Sequence, residues 1–223
     1  MTRKTTFAPN EYYHVFQRGV DRRPIFLDEE DRRRFVRLLY ACNTTERISV
    51  RSLGIATIFE YERSEPLTDI GAYCLMDNHF HLLLRERVEG GISAFMQKLM
   101  TAYTMYFNAK YNRSGRLYEG PFGAVHLDTD RHLKYMFTYI HLNPVSRVEP
   151  GWKRAGVRQL RKTKQYLDTF RYSSYPEYQG HERDESVIIN QEAFPHYFVR
   201  RGAFDRMIDE WLNIRGEAFE IEE

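Results

Sequence analysis

The 223-residue chain reads as a mixed α+β protein built on one sheet, its elements running strand, helix, paired strands, helix, strand, helix. Three observations predict it. Tyr12–Arg18 and Pro121–Leu127 are short runs of strand-forming residues near opposite ends of the pattern. Asp69–Leu75 and Met76–Leu84 meet at Asp77-Asn78, a good tight-turn pair, and so read as a hairpin. Between these lie apolar residues at helical spacing: Phe35, Leu38, Leu39 and Cys42, then Ile92 to Phe107, then Leu133 to Ile140.

Taken in order, Tyr12–Arg18 ends at Gly19, and a loop carrying Arg22 and Arg23 is closed by Pro24. Asp28-Glu29-Glu30-Asp31 opens the first helix, with a capping residue and acids on the positive end of its dipole. Arg32, Arg33, Arg34 and Arg37 read as its solvated face. Thr44 to Thr68 reads as an insertion, in which Ile55–Phe59 is either a strand or a helix end. The hairpin is expected to place His79 and His81 at the middle of the sheet. Gly90-Gly91 breaks the chain before the long helix, and Asn112–Arg116 forms a polar loop with two arginines, a phosphate grip or a flexible surface turn. Asp130 opens a helix that should run through Asn143 and stop at Pro144, which lacks the donor to continue it. Its packed side is Leu133, Met136, Phe137 and Ile140; Tyr135, Tyr139 and Asn143, four apart, share a polar side. Phe170–Tyr175 reads as an aromatic turn and Ala203–Leu212 as a last helix.

Composition is that of a globular protein, 42% hydrophobic and 29% charged. The charged N-terminus is followed by no apolar run and no stretch is long enough to span a bilayer, so no signal peptide and no membrane association are expected, and a cytoplasmic location is. Cys42 and Cys74 show no metal spacing and read as buried thiols. The net charge of +2 is unevenly spread. Arg147 to Arg171 holds eight basic residues against two acidic ones, whereas Glu182 to Glu223 holds five against eleven. A basic stretch of that density points to a polyanion partner or to a solvated face offset by its own tail.

Two constellations carry chemistry. Period two along the second hairpin strand puts His79 and His81 on one face and Phe80, Leu82 and Leu84 on the other. Two neutral imidazoles side by side suit a divalent metal; they equally suit a strand pair satisfied by cross-strand hydrogen bonds. About sixty residues on, Tyr139 and Asn143 offer a nucleophile and a third ligand one helical turn apart. Each also has a bland role, Tyr139 as a half-buried amphipathic residue and Asn143 as a helix C-cap.

With these residues in view, the chain resembles the HUH single-tyrosine transposases, closest to the REP-associated tyrosine transposases. The similar stretches are Tyr13–Gly19, Leu75–Leu83, Tyr106-Phe107-Asn108 with Gly115-Arg116-Leu117, Tyr139–Val145, and Tyr172–Tyr175, all in the right order. Asp77 stands where that family usually has proline, and Thr44 to Thr68 lengthens a connection; neither removes a functional group. The resemblance implies a ferredoxin-like βαββαβ sheet over residues 1–148, an added helix bearing the tyrosine, and a C-terminal extension over 149–223. It implies that His79, His81 and Asn143 bind Mg²⁺ or Mn²⁺ and that Tyr139 attacks single-stranded or hairpin DNA, leaving a 5′-phosphotyrosine. The expected phosphate contacts are Arg18, Arg22, Arg23, Arg113 and Arg116 in the loops and Lys153, Arg154, Arg158, Arg161 and Lys162 in the basic segment, in a monomer or homodimer. Two alternatives stand beside this: a domesticated sequence-specific DNA-binding protein with little turnover, and a metal phosphoesterase using water, which requires Tyr139 to point away from the histidines.

Overall fold

The computed structural model of the protein describes residues 5–46, 58–198 and 201–213. Residues 47–57 of the Thr44–Thr68 insertion, including Ile55 to Thr57, and the end of the acidic tail lie outside these residues. The strands are β1 (Tyr12–Arg18), β2 (Thr68–Leu75), β3 (His79–Glu86) and β4 (Gly123–His126). They form one antiparallel sheet in the order β2-β3-β1-β4, the split-βαβ arrangement of ferredoxin-like folds. The helices are α1 (Glu29–Ala41), α2 (Gly91–Lys110), α3 (Asp130–Leu142), α4 (Trp152–Ala155), α5 (Leu160–Thr169), α6 (Tyr175–Tyr178) and α7 (Arg201–Asn213). Among the described residues no helix is long and apolar enough to cross a membrane.

The strand alternation decides which layer covers which face. Tyr13, Val15, Phe80, Leu82 and Leu84 point toward α1 and α2 and are fully buried with Phe35, Leu99 and Tyr103. Phe35 anchors that layer, 4.7 Å from the Phe80 ring and edge-on to Tyr103 at 5.0 Å. The opposite face carries Ala72, Cys74 and Leu83, and α3 with the C-terminal segment packs on it. Here Phe137 stacks on Phe198 at 3.8 Å and meets Tyr178 edge-on at 4.8 Å. Both cysteines are buried free thiols.

Local chemistry accounts for the ends of the elements. Asp28 caps α1 by accepting from the Asp31 amide, and Asp31 returns the bond in a capping box. The Asp77-Asn78 turn closes the hairpin with Met76 N donating to His79 O at 2.8 Å. β2, an edge strand, is covered by the C-terminal segment: Leu75 N donates to Tyr172 O, Ser174 N to Tyr73 O and Asn190 N to Ile70 O.

Several sequence expectations are corrected. The last strand is Gly123–His126 rather than Pro121–Leu127; Phe122 and Leu127 still point inward, into different layers. α3 does open at Asp130, with Thr129 before it as the cap, accepting from His132 N. α3 gives way at Asn143 to a 3₁₀ segment, Asn143–Arg147, because proline is tolerated in the first turn of a new helical segment. The side of α3 that carries Tyr135, Tyr139 and Asn143 is buried, since the helix lies between the sheet and the C-terminal extension. The arginines of α1 are only partly solvated, for Arg32 pairs with Asp77 and Arg34 lies over the Tyr106 ring at 5.4 Å.

Candidate active site

β1 and β3 are the two central strands, and their register sets the site. Phe16 lies opposite His81 and Arg18 opposite His79, so these four side chains share the α3-facing side of the sheet. β3 is central as expected, but the histidines sit toward its turn end rather than at its middle, His79 being the first residue after the hairpin turn. Gly123 on β4 faces Phe16, and a Cβ there would collide with the Phe16 ring, so this close approach requires glycine.

A small cavity of about 30 Å³ lies between the sheet and α3, bordered by His14, Arg18, His79, His81, Tyr135 and Tyr139 among others. That is room for a water-sized occupant. The His79 and His81 rings are perpendicular with centroids 5.0 Å apart. Tyr139 meets His81 edge-on at 5.5 Å, and Tyr135 stacks on Tyr139 at 6.1 Å. From α4, Lys153 Nζ lies 4.3 Å from the centre of the Tyr139 ring, a cation over an aromatic face.

Hydrogen bonds orient the two strand histidines. His79 Nδ1 donates to Asn78 Oδ1 at 2.6 Å, while Asn78 Nδ2 donates to Arg22 O at 2.9 Å and so fixes which end of the amide faces the ring. His81 Nδ1 lies 2.9 Å from His14 Nε2. Burial, with smaller contributions from His14, His79, Lys153 and Arg18, pushes the His81 pKa well below the usual histidine range, so the ring is neutral at neutral pH. Its Nε2 is buried with no hydrogen-bond partner among the described residues. An orphaned, neutral imidazole nitrogen beside a water-sized cavity fits a metal ligand. Asn143 does not border the cavity; its Nδ2 donates to Tyr139 O at 3.0 Å, a C-terminal capping bond that leaves the amide oxygen as the ligand-type atom. Burial pushes the Tyr135 phenol up to about 12.

The basic residues divide by position. Arg18 borders the cavity and Lys153 reaches over Tyr139. Arg22 and Arg23 are exposed on a loop tied to the hairpin turn, where Ile25 N and Phe26 N donate to Asp77 O. Arg113 and Arg116 lie on the loop after α2, which joins the same end of the sheet through Val20 N donating to Leu117 O. Arg154, Arg158, Arg161 and Lys162 are exposed farther along α4 and α5 and are not brought to the cavity. Arg147 and Lys164 are held by Asp77 and Asp209. The Asp77 that replaces proline therefore serves as a carboxylate partner for Arg32 and Arg147.

Sequence reasoning missed His14 as a site residue. Its signal was the alternation His14, Phe16, Arg18 on β1, which has meaning only once β1 is known to lie beside β3.

α3 is itself held from behind by a buried histidine. His141 Nδ1 donates to Phe137 O at 2.9 Å, and the Ser174 hydroxyl donates to His141 Nε2 at 2.8 Å while accepting from Tyr73 N at 3.0 Å. Burial pushes the His141 pKa down to about 3. A neutral imidazole thus joins the tyrosine-bearing helix to the edge of β2.

Comparison with known proteins agrees with this architecture. No curated protein matches the chain. Among solved structures it is similar to the REP-associated tyrosine transposase bound to a REP hairpin, at 10% identity and a TM-score of 0.54, over 100% of this chain and 95% of that one, a likeness of fold. The family model of the IS200-like transposases matches residues 8–143, which takes in the whole sheet, His79, His81, Tyr139 and Asn143 and more than half of the sequence, and the chain belongs to that family.

Proposed function

We propose that this protein nicks and rejoins single-stranded DNA, at hairpins, through a covalent 5′-phosphotyrosine on Tyr139. Membership of a transposase family implies a DNA-cleaving enzyme. The observation that supports the finer reading is the meeting of Tyr139 with His79 and His81 around one cavity, with cationic Arg18 and Lys153 beside them. The hairpin preference is suggested by the DNA in the similar solved structure.

In this reading His79 and His81 hold Mg²⁺ or Mn²⁺ through imidazole nitrogen, and Asn143 through its amide oxygen. When bound, the ion supplies Lewis-acid polarisation of the scissile phosphate oxygens. Tyr139 Oη attacks phosphorus, the bond to the 3′ oxygen breaks, and the proton released by the phenol balances the one taken up by the departing oxygen. A free phenol, with a pKa near 10, is a weak nucleophile at neutral pH. Lys153 over its ring and Arg18 at the cavity edge supply positive charge where the phenolate and phosphate meet. The product phosphodiester is close in energy to the one broken, so the free 3′-hydroxyl can attack it and rejoin strands without ATP. The edge-on contact of Tyr139 with His81 supports this reading over a phosphoesterase using water, which requires Tyr139 to point away from the histidines.

The test is incubation of the protein with a pool of labelled single-stranded hairpins and Mn²⁺, followed by isolation of covalent adducts under denaturing conditions. A DNA 5′ end on the peptide containing Tyr139 is expected. Binding with no adduct at any metal concentration would instead favour a domesticated DNA-binding protein.

A further inference from the structure

We infer that His14 is a positioning residue for His81: it accepts the His81 Nδ1 proton and thereby keeps the Nε2 lone pair available at the cavity. The inference rests on the reading of His81 as a metal ligand.

The two rings lie nearly parallel, 18° apart with centroids 5.1 Å apart, and His14 Nε2 is 2.9 Å from His81 Nδ1. One proton lies between these two ring nitrogens, placed in one of two ways. Either His81 donates from Nδ1 and its Nε2 carries a lone pair, or His14 donates from Nε2 and the His81 proton sits on Nε2.

Three features select the first. The second would leave an N–H donor on His81 Nε2, buried without a hydrogen-bond partner among the described residues, where an unsatisfied donor is seldom tolerated. The charged side chains around the cavity, Arg18 on β1 and Lys153 over Tyr139, are both cationic, and a lone pair faces such a field better than an N–H does. His79 already adopts the corresponding tautomer, since the oriented Asn78 amide oxygen takes its Nδ1 proton. His14 then does for His81 what Asn78 does for His79. The β1–β3 register makes this reach available, because His14 sits one side-chain repeat along from Phe16, the direct partner of His81.

Outer groups that fix a ligating histidine typically change metal affinity by about 10- to 100-fold when removed. The experiment is long-range ¹H–¹⁵N correlation NMR of the metal-free full chain, with Mn²⁺ affinity read from the loss of the free-ion EPR signal. The variants are His14→Phe, which keeps an aromatic ring but no acceptor, and His14→Gln, whose amide oxygen can replace it. In the wild type, His81 should carry its proton on Nδ1. In His14→Phe the proton should move in large part to Nε2 and Mn²⁺ affinity should fall at least about 10-fold, while His14→Gln should keep both within a few-fold. A wild-type His81 protonated on Nε2 overturns the inference, as does a folded His14→Phe that keeps tautomer and affinity. If His14→Phe does not fold, the wild-type tautomer and the His14→Gln affinity decide. His81→Ala separates the two ideas: unchanged Mn²⁺ binding there removes the metal reading, and with it the affinity argument, without altering the tautomer result.

Discussion

Replacing Tyr139 with phenylalanine removes one oxygen and leaves the rest of its surroundings in place. The ring still meets His81 edge-on, stacks on Tyr135 and lies under Lys153, and none of these contacts needs the hydroxyl. The residue is buried, 7% exposed, and the change removes a single oxygen, so the cost to stability should stay within about 1 kcal/mol, the worth of one hydrogen bond. Metal and DNA affinity should likewise hold within a few-fold. The chemistry should not. A positioned nucleophile replaced by adventitious water loses the advantage of effective concentration, so cleavage should fall by at least about 10⁴-fold and the covalent adduct should vanish. The assay is a labelled hairpin with a single-stranded flank, incubated with Mn²⁺, resolved on a denaturing gel and followed by peptide mapping. Full nicking by Tyr139→Phe would refute the reasoning. So would an adduct on Tyr135, which lies on the same helix and borders the same cavity but whose hydroxyl is buried without a partner among the described residues.

Other outcomes follow from the same geometry. His79→Ala or His81→Ala should abolish cleavage while leaving DNA binding within a few-fold, because the ion acts on the transition state; equal losses of both in a folded variant would count against this. Neutralising the exposed Arg154, Arg158 and Arg161 together should weaken binding to all sequences alike and flatten the salt slope by roughly two to three, and an unchanged slope would make the segment a solvated face. A hairpin with a single-stranded flank should bind and be cut better than the paired duplex of the same sequence, since a splayed strand reaches a narrow cavity that a paired one does not; faster cutting of plain duplex would reverse the assignment. His141→Ala empties a fully buried position and strands the Ser174 hydroxyl, so it should destabilise by about 3 kcal/mol and lower Tm by roughly 10 °C, measured by calorimetry; an unchanged Tm would show that the clamp on α3 is dispensable.

The sequence by itself determined the parts whose information is local. Period two in Met76–Leu84 separated the two histidines from Phe80, Leu82 and Leu84 correctly, because alternation of side chains is a property of any extended chain. Asp77-Asn78 announced the hairpin, Asp28 the start of α1, and the four-residue spacing of Tyr139 and Asn143 their adjacency, since turn, cap and helix geometry reach only a few residues along the chain. The tertiary structure decided what depends on which elements meet. His14 became part of the site only through the β1–β3 register, a pairing of residues 67 apart that no local pattern encodes. Lys153, expected as a phosphate contact, stands over Tyr139 because the 3₁₀ segment after Asn143 turns the basic stretch back across α3. The polar side of α3 proved buried for a like reason. A helix read alone shows two sides, and only its packing on the sheet, with the C-terminal extension alongside, makes Tyr135 and Tyr139 the wall of a cavity and Asn143 its neighbouring cap.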